Sequence, residues 1–93
     1  MATYYMFGKY SQDAVQGISA DRTKEAVSVI KKLGGKVNSM HVLLGRYDLV
    51  LVVTLPSAEK VVKASIELAR LTGIGFTTSE AIPVEKFDKL TAA

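Results

Sequence analysis

The stretch LLGRYDLVLVV, residues 43–53, is the feature that most constrains how this chain can fold. Its apolar residues stop at Gly45-Arg46-Tyr47-Asp48 and then resume without a break. A continuously apolar run bounded by turn residues is typical of a central β-strand that is covered on both faces. The sequence therefore predicts a hairpin at this point, with one strand over residues 37–44 and the next over residues 47–55.

Turn chemistry places the bend of this hairpin. A two-residue loop of Arg46 and Tyr47 would need positive φ at both residues, which their side chains resist. A loop of Gly45 and Arg46 instead has glycine at the first central position, as a type II′ turn requires. We therefore expect Gly45 to form the turn. The predicted cross-strand pairs are Leu44–Tyr47, Leu43–Asp48, Val42–Leu49 and His41–Val50.

The remaining elements follow from periodicity and from turn residues. The predicted strands span residues 3–10, 37–44, 47–55 and 75–82, the predicted helices span 21–33 and 58–72, and a short amphipathic turn follows Pro83. The stripes expected to face the sheet are Ala26, Ile30 and Leu33 in the first helix and Val62, Ile66 and Ala69 in the second. The resulting order, β-α-β-β-α-β, is that of an α+β ferredoxin-like plait.

Alternation along the strands divides the side chains between two faces of the sheet. The face expected to lie under the helices carries Asn38, Met40, Val42, Leu44, Tyr47, Leu49, Leu51 and Val53. The opposite face carries Val37, Ser39, His41, Leu43, Asp48, Val50, Val52 and Thr54. The first strand has aromatic residues on both of its faces, with Tyr4 and Tyr10 on one and Tyr5 and Phe7 on the other. A one-residue bulge would exchange the two faces. Because the second face is also apolar, we expect sheet-on-sheet self-association into a homodimer or a larger oligomer.

Composition narrows the classes of function. The 93 residues suit one small domain over residues 1–93 and contain no cysteine, which excludes disulfides, thiolate nucleophiles and Cys-based metal sites. We find neither a signal peptide nor an apolar segment of the roughly 18 residues that cross a membrane, so we expect a cytoplasmic protein without a membrane partner. The net charge is +3, and the Lys31, Lys32 and Lys36 cluster is interpreted as a solvated helix end, with a phosphate-binding patch as the alternative. No nucleic-acid partner is expected.

Four residues around the hairpin are candidates for a ligand site. His41, the single histidine, shares a face with Asp48, so it is either a general base oriented by that carboxylate or a hydrogen-bonded histidine at a subunit interface. Asp48 either holds a ligand amine or ties the turn through the backbone. Tyr47 is expected under the helices with its hydroxyl at the rim, and Arg46 is expected at the turn tip, in solvent or facing another subunit. No metal site or cofactor is expected.

Three segments together identify a family resemblance. The stretches GISADRTKEAV, KLGGKVNSMHVLLGRYDLVLVV and LTGIGFTTSEAIPVEKF resemble the GYD-domain proteins over essentially the whole chain, and the family's namesake motif is present here as Gly45-Arg46-Tyr47-Asp48. The resemblance implies a ferredoxin-like plait that pairs as a dimeric α/β barrel. It supplies no catalytic residues.

A second, more distant resemblance concerns the same motif. The effector-binding domain of the Lrp/AsnC regulators has a similar pattern, in which a glycine and one further residue precede Tyr-Asp and an apolar strand. That resemblance implies an oligomer that binds a small metabolite between subunits. The leading hypothesis is accordingly a binding or regulatory module for a small molecule. The alternatives are a small enzyme of the dimeric α/β barrel type that uses His41, and a protein-interaction adaptor.

Overall fold

A computed structural model describes residues 1–92 of the chain. Its elements are β1 (Ala2–Tyr10), α1 (Gln12–Gln16), α2 (Ala20–Lys32), β2 (Lys36–Val42), β3 (Leu49–Leu55), α3 (Ala58–Thr72), β4 (Ile74–Ala81) and α4 (Val84–Thr91). The strands form one antiparallel sheet in the order β2-β3-β1-β4, and α2 and α3 pack on one face of it. This is the predicted α+β ferredoxin-like plait. Within the described residues, no helix is long and apolar enough to span a membrane.

The two long helices begin and end at the residues that favour such boundaries. The Ser19 and Ser57 side chains accept hydrogen bonds from backbone N–H groups in the first turns of α2 and α3, which satisfies donors that the helix itself leaves free. Gly73 ends α3 in the left-handed conformation, with φ +75°, where a residue with a Cβ atom is disfavoured. These boundaries set the lengths of the helices and so their positions over the sheet.

The core lies between the helix layer and one face of the sheet. Its largest fully buried side chains are Met6, Ile30, Leu51, Val53, Leu55 and Leu68. In α2 the predicted stripe is confirmed, because Ala26, Ile30 and Leu33 are all buried. Burial of this kind contributes roughly 25 cal/mol per Å² of apolar surface, so this layer supplies most of the stabilisation of the fold.

In α3 the predicted stripe is wrong. The buried positions are Val61, Ala64, Leu68 and Thr72, whereas Val62 is 60% exposed and Ile66 is 47% exposed. Both sets recur at helical spacing, and the helix is rotated so that the set containing Leu68 faces the sheet. An apolar pair consequently remains on the outer surface of α3.

A β-bulge in β2 changes which side chains face the helices. Val37 pairs with Val53 and Ser39 pairs with Val52, so Asn38 is the extra residue. Val37 therefore packs against the core. Asn38, which was expected under the helices, is exposed, and its amide Nδ2 donates to Thr54 Oγ1 at 2.9 Å. Beyond the bulge, Met40 and Val42 return to the predicted face.

The hairpin keeps its predicted register but not its predicted turn. His41 pairs with Val50 and Val42 with Leu49, as expected, and Leu43 N donates to Asp48 O at 2.9 Å. The strands end there, and no backbone hydrogen bond joins Leu44 to Tyr47 in the part of the chain that is described. Gly45 has φ +128°, a value that favours glycine. The connection is thus a wider loop over residues 43–48, in which Leu44 is fully exposed instead of facing the helices.

Helix α4 follows β4, and within residues 1–92 none of its side chains is buried. Its apolar residues Val84, Phe87 and Leu90 lie at helical spacing, as predicted, and all three are exposed.

Candidate functional site

An aromatic cluster occupies the face of the sheet that the helices leave open. The ring centroids of Tyr5 and Phe7 are 6.4 Å apart, and those of Phe7 and Tyr47 are 5.3 Å apart. Val50, which pairs with Phe7, is buried among them. Tyr5 remains 39% exposed. The open face therefore has an apolar centre, and the neighbouring positions of β4, Thr77 and Ser79, are exposed hydroxyl residues.

The position of Tyr47 corrects the prediction that it packs under the helices. Because the loop over residues 43–48 is not extended, the alternation of side chains stops at β3 and does not reach Tyr47. Its ring instead covers Phe7 on the open face. The Arg46 guanidinium lies over the Tyr47 ring, 5.7 Å from its centroid, so the cation marks the hairpin end of the aromatic cluster.

Asp48 joins the hairpin loop to the end of β1. Its backbone N–H donates to Gly8 O at 2.9 Å, and its carboxylate Oδ2 accepts from Tyr10 N at 2.9 Å. The Lys9 ammonium lies 3.8 Å from the same oxygen. The carboxylate thus holds a backbone N–H that follows the last β1–β3 pair, which is a structural role like the one weighed for it from the sequence, although the donor comes from β1 and not from the turn.

His41 does not join Asp48. Among residues 1–92, no hydrogen bond or ion pair links the two side chains, although both lie at the hairpin end of the sheet. His41 is exposed on the sheet edge and borders a groove on the helix side. The orientation of an imidazole by this carboxylate, on which the general-base hypothesis depended, is therefore not formed.

The groove beside His41 has a volume of about 210 Å³ and lies between the first turn of α2 and the hairpin end of the sheet. Its apolar lining consists of Ile18, Ala26, Met40, Val42, Leu49 and Ile74. Its polar lining consists of Tyr10, Ser19, Arg22, Thr23, His41 and Thr72. At about 30 Å³ per water molecule in the liquid, the groove has room for a molecule of about seven non-hydrogen atoms.

Arg22 is the cation of this groove, and three contacts hold it in place. Its backbone N–H donates to Ser19 Oγ at 3.0 Å, its side-chain Nη1 donates to Ala14 O, and its guanidinium lies 5.8 Å from the centroid of the Tyr10 ring. The backbone of Tyr10 is in turn bound by Asp48. The hairpin carboxylate and the groove cation are therefore connected through one residue, Tyr10.

Sequence reasoning missed Tyr10 and Arg22 as site residues. They are twelve residues apart and meet only because β1 and α2 pack together, so no local spacing pairs them. The signal present in the sequence is weak: an arginine three residues after the capping Ser19. Across the described chain, no group of three or more His, Asp or Glu side chains is placed to hold a metal ion.

Comparisons with known proteins agree with this architecture. A family model described as the GYD domain matches residues 4–91, and no curated protein matches the chain. Among solved structures, the chain is similar to the leucine response regulatory protein LrpA of Mycobacterium tuberculosis, with 10% identity and a TM-score of 0.59 over 88% of this chain and 51% of that chain. A glycine-to-threonine mutant of Rv3291c gives 10% identity and a TM-score of 0.60 over 89% and 51%.

A third structure, described as a glutamate-to-alanine mutant, gives 11% identity and a TM-score of 0.58 over 88% of this chain and 50% of that chain. Identities of this size establish a shared fold and nothing finer. The chain spans about half the length of each of these solved chains.

Proposed function

We propose that this chain, which belongs to the GYD-domain family, is a regulatory or ligand-binding module that works as a homodimer and holds a small metabolite at the hairpin end of the subunit interface. The observation that carries the proposal is the uncovered aromatic cluster of Tyr5, Phe7 and Tyr47, which ends at Arg46. An exposed apolar patch of this kind, beside exposed polar residues, has the composition of a protein interface.

The similarity to a leucine response regulatory protein supports the same proposal. A plait with the helices on one face leaves the opposite face of the sheet free, and a second copy of the chain supplies a matching apolar face. In such a pair Arg46 and Tyr47 lie at the edge of the interface, and Asp48 and His41 lie beside them at the hairpin end. These four residues are the ones we propose to contact the ligand.

The assembly half of the proposal is tested by light scattering at micromolar concentration. We expect wild-type protein at about twice the chain mass of 10.0 kDa. Tyr5→Lys places a charge in the aromatic cluster and is expected to yield monomer. Ile66→Lys, an equivalent change at an exposed apolar residue on the other side of the molecule, is expected to remain dimeric. A wild-type monomer at all accessible concentrations contradicts the proposed assembly.

The ligand half is tested by native mass spectrometry of protein purified without denaturation. We expect a small adduct on the wild-type dimer and its loss from the Tyr5→Lys monomer. An adduct that stays on the monomer places the ligand outside the interface. A dimer that carries no adduct, and whose amide resonances do not move with a panel of small acids, sugars and nucleosides, is evidence against ligand binding.

A further inference from the structure

We propose that the groove between α2 and the hairpin end of the sheet is a separate binding site for a small carboxylate with an apolar body, and that Arg22 binds the carboxylate. The groove is lined within a single subunit and lies on the helix side of the sheet. The inference therefore goes beyond the proposed function and does not depend on dimerisation.

The charge of the groove is the first argument. Arg22 is half-buried, and none of the ion pairs within residues 1–92 includes it. Asp13 and Glu25 border a neighbouring depression on its far side without pairing to it. A guanidinium has five N–H donors, and among the residues that the structure describes only Ala14 O accepts from one of them. The remaining donors form a fork that matches the two oxygens of a carboxylate.

Some of the other polar groups of the groove are already hydrogen-bonded within the protein, which limits the groups that can bind a ligand. Thr72 Oγ1 donates to Leu68 O at 2.6 Å and accepts from Ile74 N at 3.1 Å, so it is already satisfied. Thr23 Oγ1 donates to Ser19 O at 3.3 Å. The groups left for a ligand are therefore the Arg22 N–H donors and the hydroxyls of Tyr10 and Ser19, which also line the groove. One fixed cation suits a monoanion.

The apolar lining and the volume define the rest of the molecule. Six aliphatic or thioether side chains line the groove, and they favour a hydrocarbon body over a sugar or a nucleotide. The volume of about 210 Å³ lies below the roughly 300–1,000 Å³ of pockets for drug-sized ligands. An acid close to this size, such as 4-methylpentanoate with its eight non-hydrogen atoms, fits this description.

Arg22 is also held in position before any ligand arrives. The Tyr10 ring beneath its guanidinium, the Ala14 carbonyl and the Ser19 cap restrain both ends of the residue. Less side-chain entropy is then lost when the carboxylate binds, which is how a small groove reaches measurable affinity.

Nuclear magnetic resonance titration of the full chain tests the proposal, with 4-methylpentanoate as the probe and 4-methylpentanamide as its uncharged counterpart. For the acid we expect saturable shifts of the Arg22 Nε–H and of amides in residues 18–23 and 40–42. For the amide we expect at least about tenfold weaker binding, since a charge-assisted bidentate contact is lost. Equal binding of the two probes, or no saturable shift with the acid, overturns the proposal without any variant.

Variants then assign the contact to Arg22. Arg22→Gln is expected to weaken acid binding at least about tenfold, whereas Arg70→Gln, at an exposed arginine of α3 outside the groove, leaves it within twofold. If Arg22→Gln loses its native spectrum, the comparison of acid and amide on wild-type protein still decides the question. Tyr5→Lys is expected to retain acid binding, which separates this site from the proposed dimer. Shifts confined to residues 43–48 overturn the assignment to the groove.

Discussion

Replacing Asp48 with alanine tests how the hairpin loop is attached to β1. The carboxylate accepts the Tyr10 N–H at 2.9 Å, and alanine leaves that donor without its partner. An orphaned buried donor costs about 1–3 kcal/mol. Because Tyr10 is only half-buried, water reaches the donor in part, and we expect about 1 kcal/mol from this bond.

The Lys9–Asp48 ion pair adds little to that cost. The distance is 3.8 Å and the side chains are 62% and 35% exposed, and pairs of this kind contribute about 0–1 kcal/mol. We therefore expect Asp48→Ala to lower the free energy of unfolding by about 1.5 kcal/mol in total. For a domain of this size that corresponds to a fall in Tm of about 6–12 °C.

Urea unfolding followed by circular dichroism measures the effect, at one fixed protein concentration because association would also shift the transition. Lys9→Ala is the matched control and is expected to cost less than about 0.5 kcal/mol. Asp48→Asn keeps an acceptor oxygen and is expected to cost about 0.5 kcal/mol, less than alanine. Two results would show that the hydrogen bond from Tyr10 N–H to the Asp48 carboxylate does not attach the loop. One is an Asp48→Ala variant as stable as wild type, and the other is a Lys9→Ala variant that loses as much stability as Asp48→Ala.

Two further changes test the loop and the rotation of α3. Gly45→Ala is expected to cost about 1 kcal/mol in urea unfolding, because φ is +128° and, among the described residues, no atom beyond the two adjoining residues lies within 4 Å of the added Cβ, so the cost is in the backbone alone. An unchanged midpoint would contradict this conformation. Leu68→Ala is expected to cost about 2–5 kcal/mol and Ile66→Ala less than about 0.5 kcal/mol; similar values for the two would mean that α3 is rotated toward the predicted stripe.

The parts of the fold that sequence reasoning predicted correctly are those with one dominant local signal. The apolar run from Leu49 to Val53 is incompatible with an exposed surface strand, and β3 is the inner strand that this run predicts. Likewise Ala26, Ile30 and Leu33 offer one apolar stripe, and α2 buries it. The hairpin register follows from Gly45, which confines the bend to a few positions.

The errors arise where local signals do not decide the structure, either because two of them are of similar strength or because the position depends on the backbone of a loop or a partner strand. In α3 two apolar stripes coexist, and packing against the sheet selects the one with Leu68 over the one with Ile66. The residues around Asn38 do not indicate that it is the extra residue of a β-bulge, because a bulge is defined by pairing with the partner strand. Tyr47 lies in a loop whose backbone is not extended, so counting along a strand assigns it to the wrong face.

In the candidate site, too, some residues stand out locally in the sequence and others are recognised only from contacts between distant segments. The sequence predicts Arg46, Tyr47 and Asp48 as candidate ligand residues because they stand out against an apolar run, and their contact with a ligand stays a prediction. Tyr10 and Arg22 became visible only when β1 and α2 were placed together, since a contact between distant segments has no period in the sequence.

The extra residue in β2 has a consequence for how copies of this protein behave when crowded. β2 is an outer strand of the sheet, so its unpaired backbone N–H and C=O groups can hydrogen-bond to a strand of another molecule. The bulge at Asn38 interrupts that row of donors and acceptors near the start of the strand. An incoming strand cannot stay in register along the full length, and Lys36 adds charge repulsion between identical chains. The bulge and the charge thereby disfavour growth of the sheet through the β2 edge.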